Sequence, residues 1–262
     1  MLGAIVGDIV GSIYEFENIK TTEFPLFSPS CSFTDDTVLT VALAESLLTG
    51  EPYGEVMKAY YRRYPDAGYG GMFIRWAESA ESRPYQSWGN GAAMRISPVG
   101  YVAATLEEAL ALAKECTAIT HDHPEAIKGG QAVAAAVFLC RRGIGREELR
   151  EYVSREFGYD LSRTCDQIRP AYRFDISCQG TVPQALTAFL ESSDFERAIR
   201  LAVSLGGDTD TLACITGGMA GAFYGGVPKP IAEQARSYLD PPLLAVVDEF
   251  ARRYPPLAVC RT

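Results

Sequence analysis

Apolar residues recur at helical spacing along most of the chain, and residues that commonly begin or end helices interrupt the pattern. Residues 37–49 follow the helical period and precede Gly50, a residue that favours helix C-termini. Pro52 suits the first turn of a helix that ends near residue 64, and Pro241 suits the start of a last helix over 241–253. The pattern therefore predicts a chain made mainly of helices.

Three short segments match the capping box, in which a serine or threonine precedes a glutamate or glutamine by three residues. They are Thr105–Glu108, Thr181–Gln184 and Ser193–Glu196, and the last two predict helices over 182–191 and 194–204. Pro124 predicts the start of another helix, which continues through 126–139 and is ended by Gly143.

Evidence for strands is confined to Tyr172–Cys178, where apolar and polar residues alternate, and one extended segment does not make a sheet. No repeat, low-complexity tract or long linker divides the chain. We therefore predict an all-α fold in a single domain over residues 1–262, with the chemistry carried on loops.

Composition and charge narrow the functional classes. The chain has 47% hydrophobic and 22% charged residues and a formal net charge of −9. Because no basic run exceeds two residues, no dedicated nucleic-acid surface is expected. The seven cysteines are odd in number and form no Cys-x-x-Cys pair, so we expect free thiols and a reducing, cytoplasmic location; they are Cys31, Cys116, Cys140, Cys165, Cys178, Cys214 and Cys260.

Two apolar segments are not typical of a membrane span or a signal peptide. The uncharged segment over 212–227 is rich in glycine, which favours a buried helix between close neighbours over a membrane span. At the other end of the chain, Asp8 interrupts the apolar run over 2–7 and no basic region precedes it, so a signal peptide is not expected.

Two segments share one arrangement of acids and hydroxyls at a predicted helix start. They are Thr34-Asp35-Asp36-Thr37 and Gly206-Gly207-Asp208-Thr209-Asp210-Thr211. Either one alone is accounted for by helix capping and by the helix dipole. The pair, with two glycines that permit close approach to a ligand, favours a shared site. Four carboxylates with hydroxyls suit Mg²⁺ or Mn²⁺ better than Zn²⁺.

At this point the sequence resembles the ADP-ribosylglycohydrolase family over nearly its whole length. The shared motifs, in matching order, are Gly7-Asp8-Ile9-Val10-Gly11-Ser12 with Tyr14 and Glu15, Thr34-Asp35-Asp36-Thr37, Gly68-Tyr69-Gly70, Gly89-Asn90-Gly91-Ala92-Ala93-Met94-Arg95, Thr120-His121 with Pro124, and Gly206-Gly207-Asp208-Thr209-Asp210-Thr211. Each motif alone is weak, whereas six in order are specific.

The resemblance implies an orthogonal all-α bundle with a binuclear metal cleft. Two Mg²⁺ or Mn²⁺ ions would be bound by Thr34, Asp35, Asp36, Asp208, Asp210 and Thr211. Asp35 and Asp36 would be catalytic through these ions, and Glu15 would act as acid/base or as a gate over the site. Contacts to the substrate would come from Tyr69, Gly89, Asn90, Gly91 and His121.

The implied reaction is hydrolysis of the bond between C1 of the ribose of ADP-ribose and a modified acceptor, with ADP-ribose as product. The acceptor favoured by analogy is arginine on a protein, while serine, a nucleic-acid base or a small metabolite stay open. The stretch 160–173 matches no part of the family pattern and could contact adenine or the acceptor. Two other classes remain, a binuclear phosphoesterase and a silent ADP-ribose-binding or structural protein; the four intact aspartates favour an enzyme.

Overall fold

Fifteen helices form the regular structure of residues 1–81 and 83–255, the part of the chain that the computed structural model describes. They are α1 (Leu2–Gly11), α2 (Asp35–Thr49), α3 (Tyr53–Arg63), α4 (Gly71–Glu78), α5 (Gly91–Met94), α6 (Val99–Val102), α7 (Leu106–Ala118), α8 (Pro124–Arg141), α9 (Arg146–Phe157), α10 (Cys165–Ile168), α11 (Cys178–Leu190), α12 (Phe195–Ser204), α13 (Thr209–Phe223), α14 (Lys229–Arg236) and α15 (Pro241–Arg253). Within these residues extended pairing is limited to one isolated bridge between Gly89 and Ser177. The prediction of an all-α fold is confirmed.

Most predicted helix ends are confirmed by their local geometry. Gly50 follows α2 with φ 80°, the left-handed conformation that a side chain disfavours. Pro52 is the N-cap of α3, and Asp240 caps α15 by accepting a hydrogen bond from the backbone of Leu243 at 3.0 Å. Thr105 accepts from the backbone of Glu108 at 3.1 Å, which is half of the predicted capping box, while the Glu108 carboxylate accepts the N–H of Ala104 and not that of Thr105.

Two of the predicted capping boxes are wrong. Thr181 lies inside α11, which begins at Cys178 and is capped by Ser177, and the helix continues past Pro183. At α12 the cap is Asp194 and not Ser193, because the Asp194 carboxylate accepts the backbone N–H of Arg197 at 2.8 Å. In both cases a different side chain, Ser177 or Asp194, caps the unpaired amides at the start of the helix.

Helix α1 was not predicted, since its residues other than Asp8 are apolar or small on every side and carry no cap. It packs on α13 through glycines. A Cβ atom at Gly3 would lie 2.2 Å from the backbone oxygen of Gly217, and one at Gly7 would lie 1.9 Å from that of Ala213. These approaches leave no room for a side chain, so the two backbones are in direct contact. The contact brings Asp8 beside the start of α13.

Every residue of α13 is buried, which confirms the buried helix predicted over the glycine-rich segment. No helix within residues 1–81 and 83–255 has the length and apolar character needed to cross a membrane. No disulfide joins the cysteines of the described residues, as predicted, while Cys260 lies outside those residues.

Candidate active site

A cleft of about 300 Å³ opens where the N-termini of α2 and α13 meet. Its wall includes most of the predicted site residues, namely Glu15, Thr34, Asp35, Asp36, Gly89, Asn90, Gly91, His121, Asp208, Asp210 and Thr211. The two acidic segments, far apart in sequence, therefore share one cavity. Their direct link is a hydrogen bond of 3.4 Å from the hydroxyl of Thr211 to Oδ2 of Asp36.

The first acidic segment is oriented by a buried carboxylate on α1. Asp8 accepts hydrogen bonds from the backbone N–H and hydroxyl of Thr34, at 2.9 and 2.7 Å, and from the backbone N–H and hydroxyl of Thr37. Burial raises the pKa of Asp8, and these four bonds oppose the increase. The sequence motif contained Asp8 without a role; an acid inside an apolar run was the available signal.

The second acidic segment leaves α12 through two glycines with positive φ, 69° at Gly206 and 78° at Gly207. This turn directs Asp208 into the cleft, where its Oδ2 accepts a hydrogen bond of 2.7 Å from the side-chain amide of Asn90. Asp210 follows in the first turn of α13. The glycines are thus required by backbone conformation as well as by the cleft.

The carboxylates of the cleft repel one another. Burial raises the pKa of Asp35 to about 8, and the charges of Asp8 and Asp208 add to the effect. The pKa values of Asp36 and Asp210 are raised for the same reasons, with burial first. Oδ1 of Asp36 and Oδ1 of Asp210 are buried and have no hydrogen-bond partner among the described residues. Unsatisfied oxygens of this kind are costly unless a cation or a proton binds them, so the donor set fits hard divalent cations.

Glu15 completes the acidic wall. One carboxylate oxygen of Glu15 and one each of Asp208 and Asp210 lie within 4.8 Å of one another, a group that could hold a metal ion. Glu15 is half-buried, and burial together with the charges of Asp208 and Asp8 raises its pKa to about 7. The loop that carries Glu15 is held to the loop before Asp208 by Asn18, a residue that no sequence pattern marked.

The opposite wall is built from the predicted Gly89-Asn90-Gly91 segment and His121. A Cβ atom at Gly91 would lie 3.3 Å from Nε2 of His121, so the glycine leaves space between the two. Nδ1 of His121 is 2.8 Å from the hydroxyl of Thr120 and 3.3 Å from Nη2 of Arg95. Burial and the Arg95 charge lower the pKa of His121, which keeps the imidazole neutral. The buried Arg95 lines the cleft; the sequence motif contained it without a role.

Tyr69 is placed differently from the other predicted ligand-binding residues. Its side chain is buried behind the cleft and its ring stacks on Phe73 with a centroid distance of 5.1 Å. Phe73 lines the cleft, while Tyr69 does not. Tyr69 therefore supports the wall from behind in this arrangement.

Large apolar side chains exposed to solvent are concentrated at the mouth of the cleft. Among the described residues they are Phe16, Met72, Trp88, Phe174 and Ile176, each between 43% and 84% exposed. Met72, Phe174 and Ile176 line the cleft, and the other two adjoin the lining residues Glu15 and Gly89. Sequence periodicity did not reveal them, because they lie in loops or at a helix end.

Fold and cleft together define an all-α protein with an acidic site suited to divalent cations. A sequence model of the ADP-ribosylglycohydrolase family matches residues 1–257. The chain belongs to the ADP-ribosylglycohydrolase family.

The similarity to individual relatives covers most of the chain. It is 26% identical to "ADP-ribosylhydrolase ARH3" of Homo sapiens, with 94% of this chain and 90% of that protein covered. It is 27% identical to "ADP-ribosylarginine hydrolase Tri1" of Pseudomonas putida (strain GB-1), with 89% and 72% covered. A solved "ADP-ribosylglycohydrolase-related protein complex" is similar with a TM-score of 0.69 at 26% identity, covering 94% of this chain and 96% of that one.

Proposed function

We propose that this protein hydrolyses the glycosidic bond between ADP-ribose and a modified acceptor, with two Mg²⁺ or Mn²⁺ ions in the acidic cleft. The observation that carries the proposal is the pair of buried, unpartnered oxygens, Oδ1 of Asp36 and Oδ1 of Asp210, one from each acidic segment. The family match over residues 1–257 supports the reaction class and a single domain over 1–262.

The proposed metal ligands are the six residues of the two helix starts, Thr34, Asp35, Asp36, Asp208, Asp210 and Thr211. When bound there, the ions would neutralise the carboxylates, fix ribose hydroxyls and acidify a water molecule. Asp8 keeps Thr34 in place through two hydrogen bonds, and Asn90 does the same for Asp208. These contacts hold the ligands before any substrate arrives.

Glu15 is the proposed acid/base. A water molecule adds to C1 of the ribose as the bond from C1 to the acceptor breaks, and a proton passes from that water to the acceptor by way of the Glu15 carboxyl group. A pKa of about 7 suits this role, because the group is then ready to accept and to give a proton near neutral pH. The alternative role, a gate over the cleft, predicts an effect on binding instead.

The ADP-ribose itself is assigned to the wall formed by Gly89, Asn90, Gly91 and His121. The neutral His121 can donate or accept a hydrogen bond at Nε2, which lies beside the open space at Gly91. Arg95 supplies a buried positive charge next to it. Together they suit hydroxyl and phosphate oxygens, while Tyr69 acts through Phe73.

Arginine on a protein is the proposed acceptor, with support from the name of the Pseudomonas putida relative. A guanidinium is cationic, and the carboxylates of Glu15, Asp208 and Asp210 that line the cleft suit a positive leaving group. The decisive experiment incubates the protein and Mg²⁺ with ADP-ribosylated arginine, serine and nucleic-acid substrates and follows free ADP-ribose by mass spectrometry. Release from the arginine substrate is expected; no release from any substrate would defeat the proposal.

A further inference from the structure

A second cavity, of about 260 Å³, lies directly beside the cleft. Phe174 lines both cavities and forms the wall between them. We call the second cavity the arginine groove, because its wall includes Arg163 and Arg173 together with the apolar residues Ile168, Ala171 and Phe174. Most of this wall comes from the stretch 160–173, which matches no part of the family's sequence motifs.

The arginine groove lies beside the segment that presents Asp208. A Cβ atom at Gly207 would lie 2.7 Å from the ring of Tyr172 and 2.9 Å from the backbone oxygen of Arg173, so this segment packs on the residue before Asp208. Lys20, five residues after Glu15, donates a hydrogen bond to the backbone oxygen of Tyr172 at 2.9 Å. The groove therefore lies next to the loop that carries the proposed metal ligand Asp208.

The two arginines of the groove have no carboxylate within 4.0 Å among the described residues, although the chain carries 33 acids and 24 lysines and arginines. Each is held by backbone oxygens instead: Arg173 donates to Pro170 at 3.0 Å and Arg163 donates to Gln167 at 2.9 Å. The one acid in the wall, Asp175, is occupied by Ser177, whose N–H and hydroxyl it accepts at 2.8 and 2.6 Å. Both guanidinium groups are exposed and lack a carboxylate within 4.0 Å among the described residues, which leaves them accessible to an anion.

Lys20 lies behind the Arg173 segment, where it donates hydrogen bonds to the backbone oxygens of Tyr172 and Leu205. Burial lowers the pKa of Lys20, and the charges of Arg173 and Arg169 lower it further. Arg169 has a partner, Asp166, whereas Arg173 has no acidic partner among the described residues. A local excess of positive charge in a chain of net charge −9 indicates a surface that meets a negative ligand.

We propose that the arginine groove binds the polypeptide that carries the ADP-ribose, and that it selects polypeptides with carboxylate side chains close to the modified residue. This inference rests on the proposed function and names its substrate class. The apolar wall of Ile168, Ala171 and Phe174 suits the side chains of a peptide. A nucleic acid, with a phosphate on every nucleotide, would need a longer basic surface than the two arginines of the groove provide.

The first arm of the test measures binding without catalysis. A fluorescent, unmodified peptide with several glutamates is titrated by fluorescence anisotropy, beside the same peptide with glutamines. The wild-type protein should bind the acidic peptide more tightly. Arg163→Gln together with Arg173→Gln should weaken that binding about tenfold, the size expected for two exposed charge pairs. The matched control is Arg155→Gln, an exposed arginine on α9 that lines neither cavity; it should change nothing.

The second arm measures hydrolysis on two substrates. The double variant should lose about tenfold in kcat/KM on an ADP-ribosylated acidic peptide and nothing on free ADP-ribosyl-arginine, which does not reach the groove. Equal affinity of the wild type for both peptides, or equal loss in the Arg155 control, would overturn the proposal. So would tighter binding of a single-stranded oligonucleotide that depends on the same two arginines. If the wild type hydrolyses no substrate, the proposed function fails, while the binding arm still decides the groove.

Discussion

The side-chain amide of Asn18 and the backbone of Gly207 bind each other reciprocally. Oδ1 of Asn18 accepts the Gly207 N–H at 2.7 Å, and Nδ2 of Asn18 donates to the Gly207 carbonyl at 3.0 Å. The same amide donates to the carbonyls of Tyr14 and Glu15 at 2.7 and 2.9 Å. One side chain therefore fixes the position of the Glu15 loop relative to the loop that presents Asp208.

Replacing Asn18 by alanine should reduce turnover more than it reduces stability. Because the residue is exposed, loss of its hydrogen bonds should lower the free energy of unfolding by only about 1–2 kcal/mol. The Glu15 carboxyl group would then lose its fixed position, so kcat should fall about tenfold or more. Thermal melts and ADP-ribose release measure the two effects. Gln234→Ala, at an exposed position of α14, is the control, and an equal kcat in both variants would contradict the coupling.

Glu15→Gln separates proton transfer from binding. If Glu15 transfers the proton, turnover should fall by ~10²-fold or more, with a much smaller change in affinity for ADP-ribose. Initial rates and calorimetric titration with ADP-ribose measure the two quantities. Glu17→Gln, two residues along the same loop and exposed, should behave as wild type. A large loss of affinity at normal turnover would make Glu15 a gate.

Neutralising one carboxylate should have opposite effects with and without metal. In chelator, Asp36→Asn or Asp210→Asn removes repulsion among the buried acids and should raise the melting temperature. In saturating Mg²⁺ the wild type should melt higher, because metal binding stabilises the folded state by RT ln(1 + [L]/Kd). Melts of the three proteins in two buffers test this. If Mg²⁺ leaves the order unchanged, the aspartates do not share a metal site.

The same acids predict how the metal-free protein responds to pH. Folding raises the pKa of Asp35 from an unfolded value of ~3.9 to about 8, so the folded state binds more protons between these values. The stabilisation that comes from protonated Asp35 in the folded state is complete below the unfolded pKa. It is lost as the pH rises through the folded pKa of about 8. In chelator the melting temperature should therefore be several degrees higher at pH 5.5 than at pH 8. A difference of ~1–2 kcal/mol in the free energy of unfolding produces a shift of this size in a chain of this length. Asp35→Asn should flatten the slope; an unchanged slope would contradict the assignment.

A valine at Gly91 should weaken ADP-ribose binding while leaving the fold intact. The added side chain would enter the space in front of Nε2 of His121, where a Cβ atom alone lies 3.3 Å away. We expect affinity for ADP-ribose to fall about tenfold or more, measured by calorimetry. Gly145→Val serves as the control, since a Cβ atom there meets no other atom within 4 Å. Equal affinity in both variants would make the Gly89-Asn90-Gly91 segment a simple turn.

The sequence predicted what depends on local pattern and missed what depends on packing. Helices with strong end signals, such as α2 before Gly50, followed from residues a few positions apart. Helix α1 has no such signal, because contact with α13 and not amphipathicity stabilises it. The prediction that Thr181 caps a helix was wrong for a related reason. Ser177, which pairs with Gly89 in the isolated bridge, is the N-cap of α11, so Thr181 lies inside the helix.

The candidate site also contains residues that could be predicted from the sequence and residues that could not. The residues of the two acidic segments and His121 were predictable, because their types and order carry the chemistry. Asp8, Arg95 and Asn18 act through partners more than 20 positions away in sequence, so only the folded chain shows what each of them does.

The glycine contact between α1 and α13 has a consequence for synthesis. The hydroxyl of Thr209 binds the carbonyl of Gly11 across 198 positions of sequence. At about 5–20 residues per second, a ribosome needs about 10–40 s to produce α13 after α1. Over that interval α1, which is buried on nearly every side in the finished molecule, has no native surface to cover it. Nascent chains of this protein should therefore engage chaperones through α1, and no fragment that lacks α13 can assemble the acidic cleft.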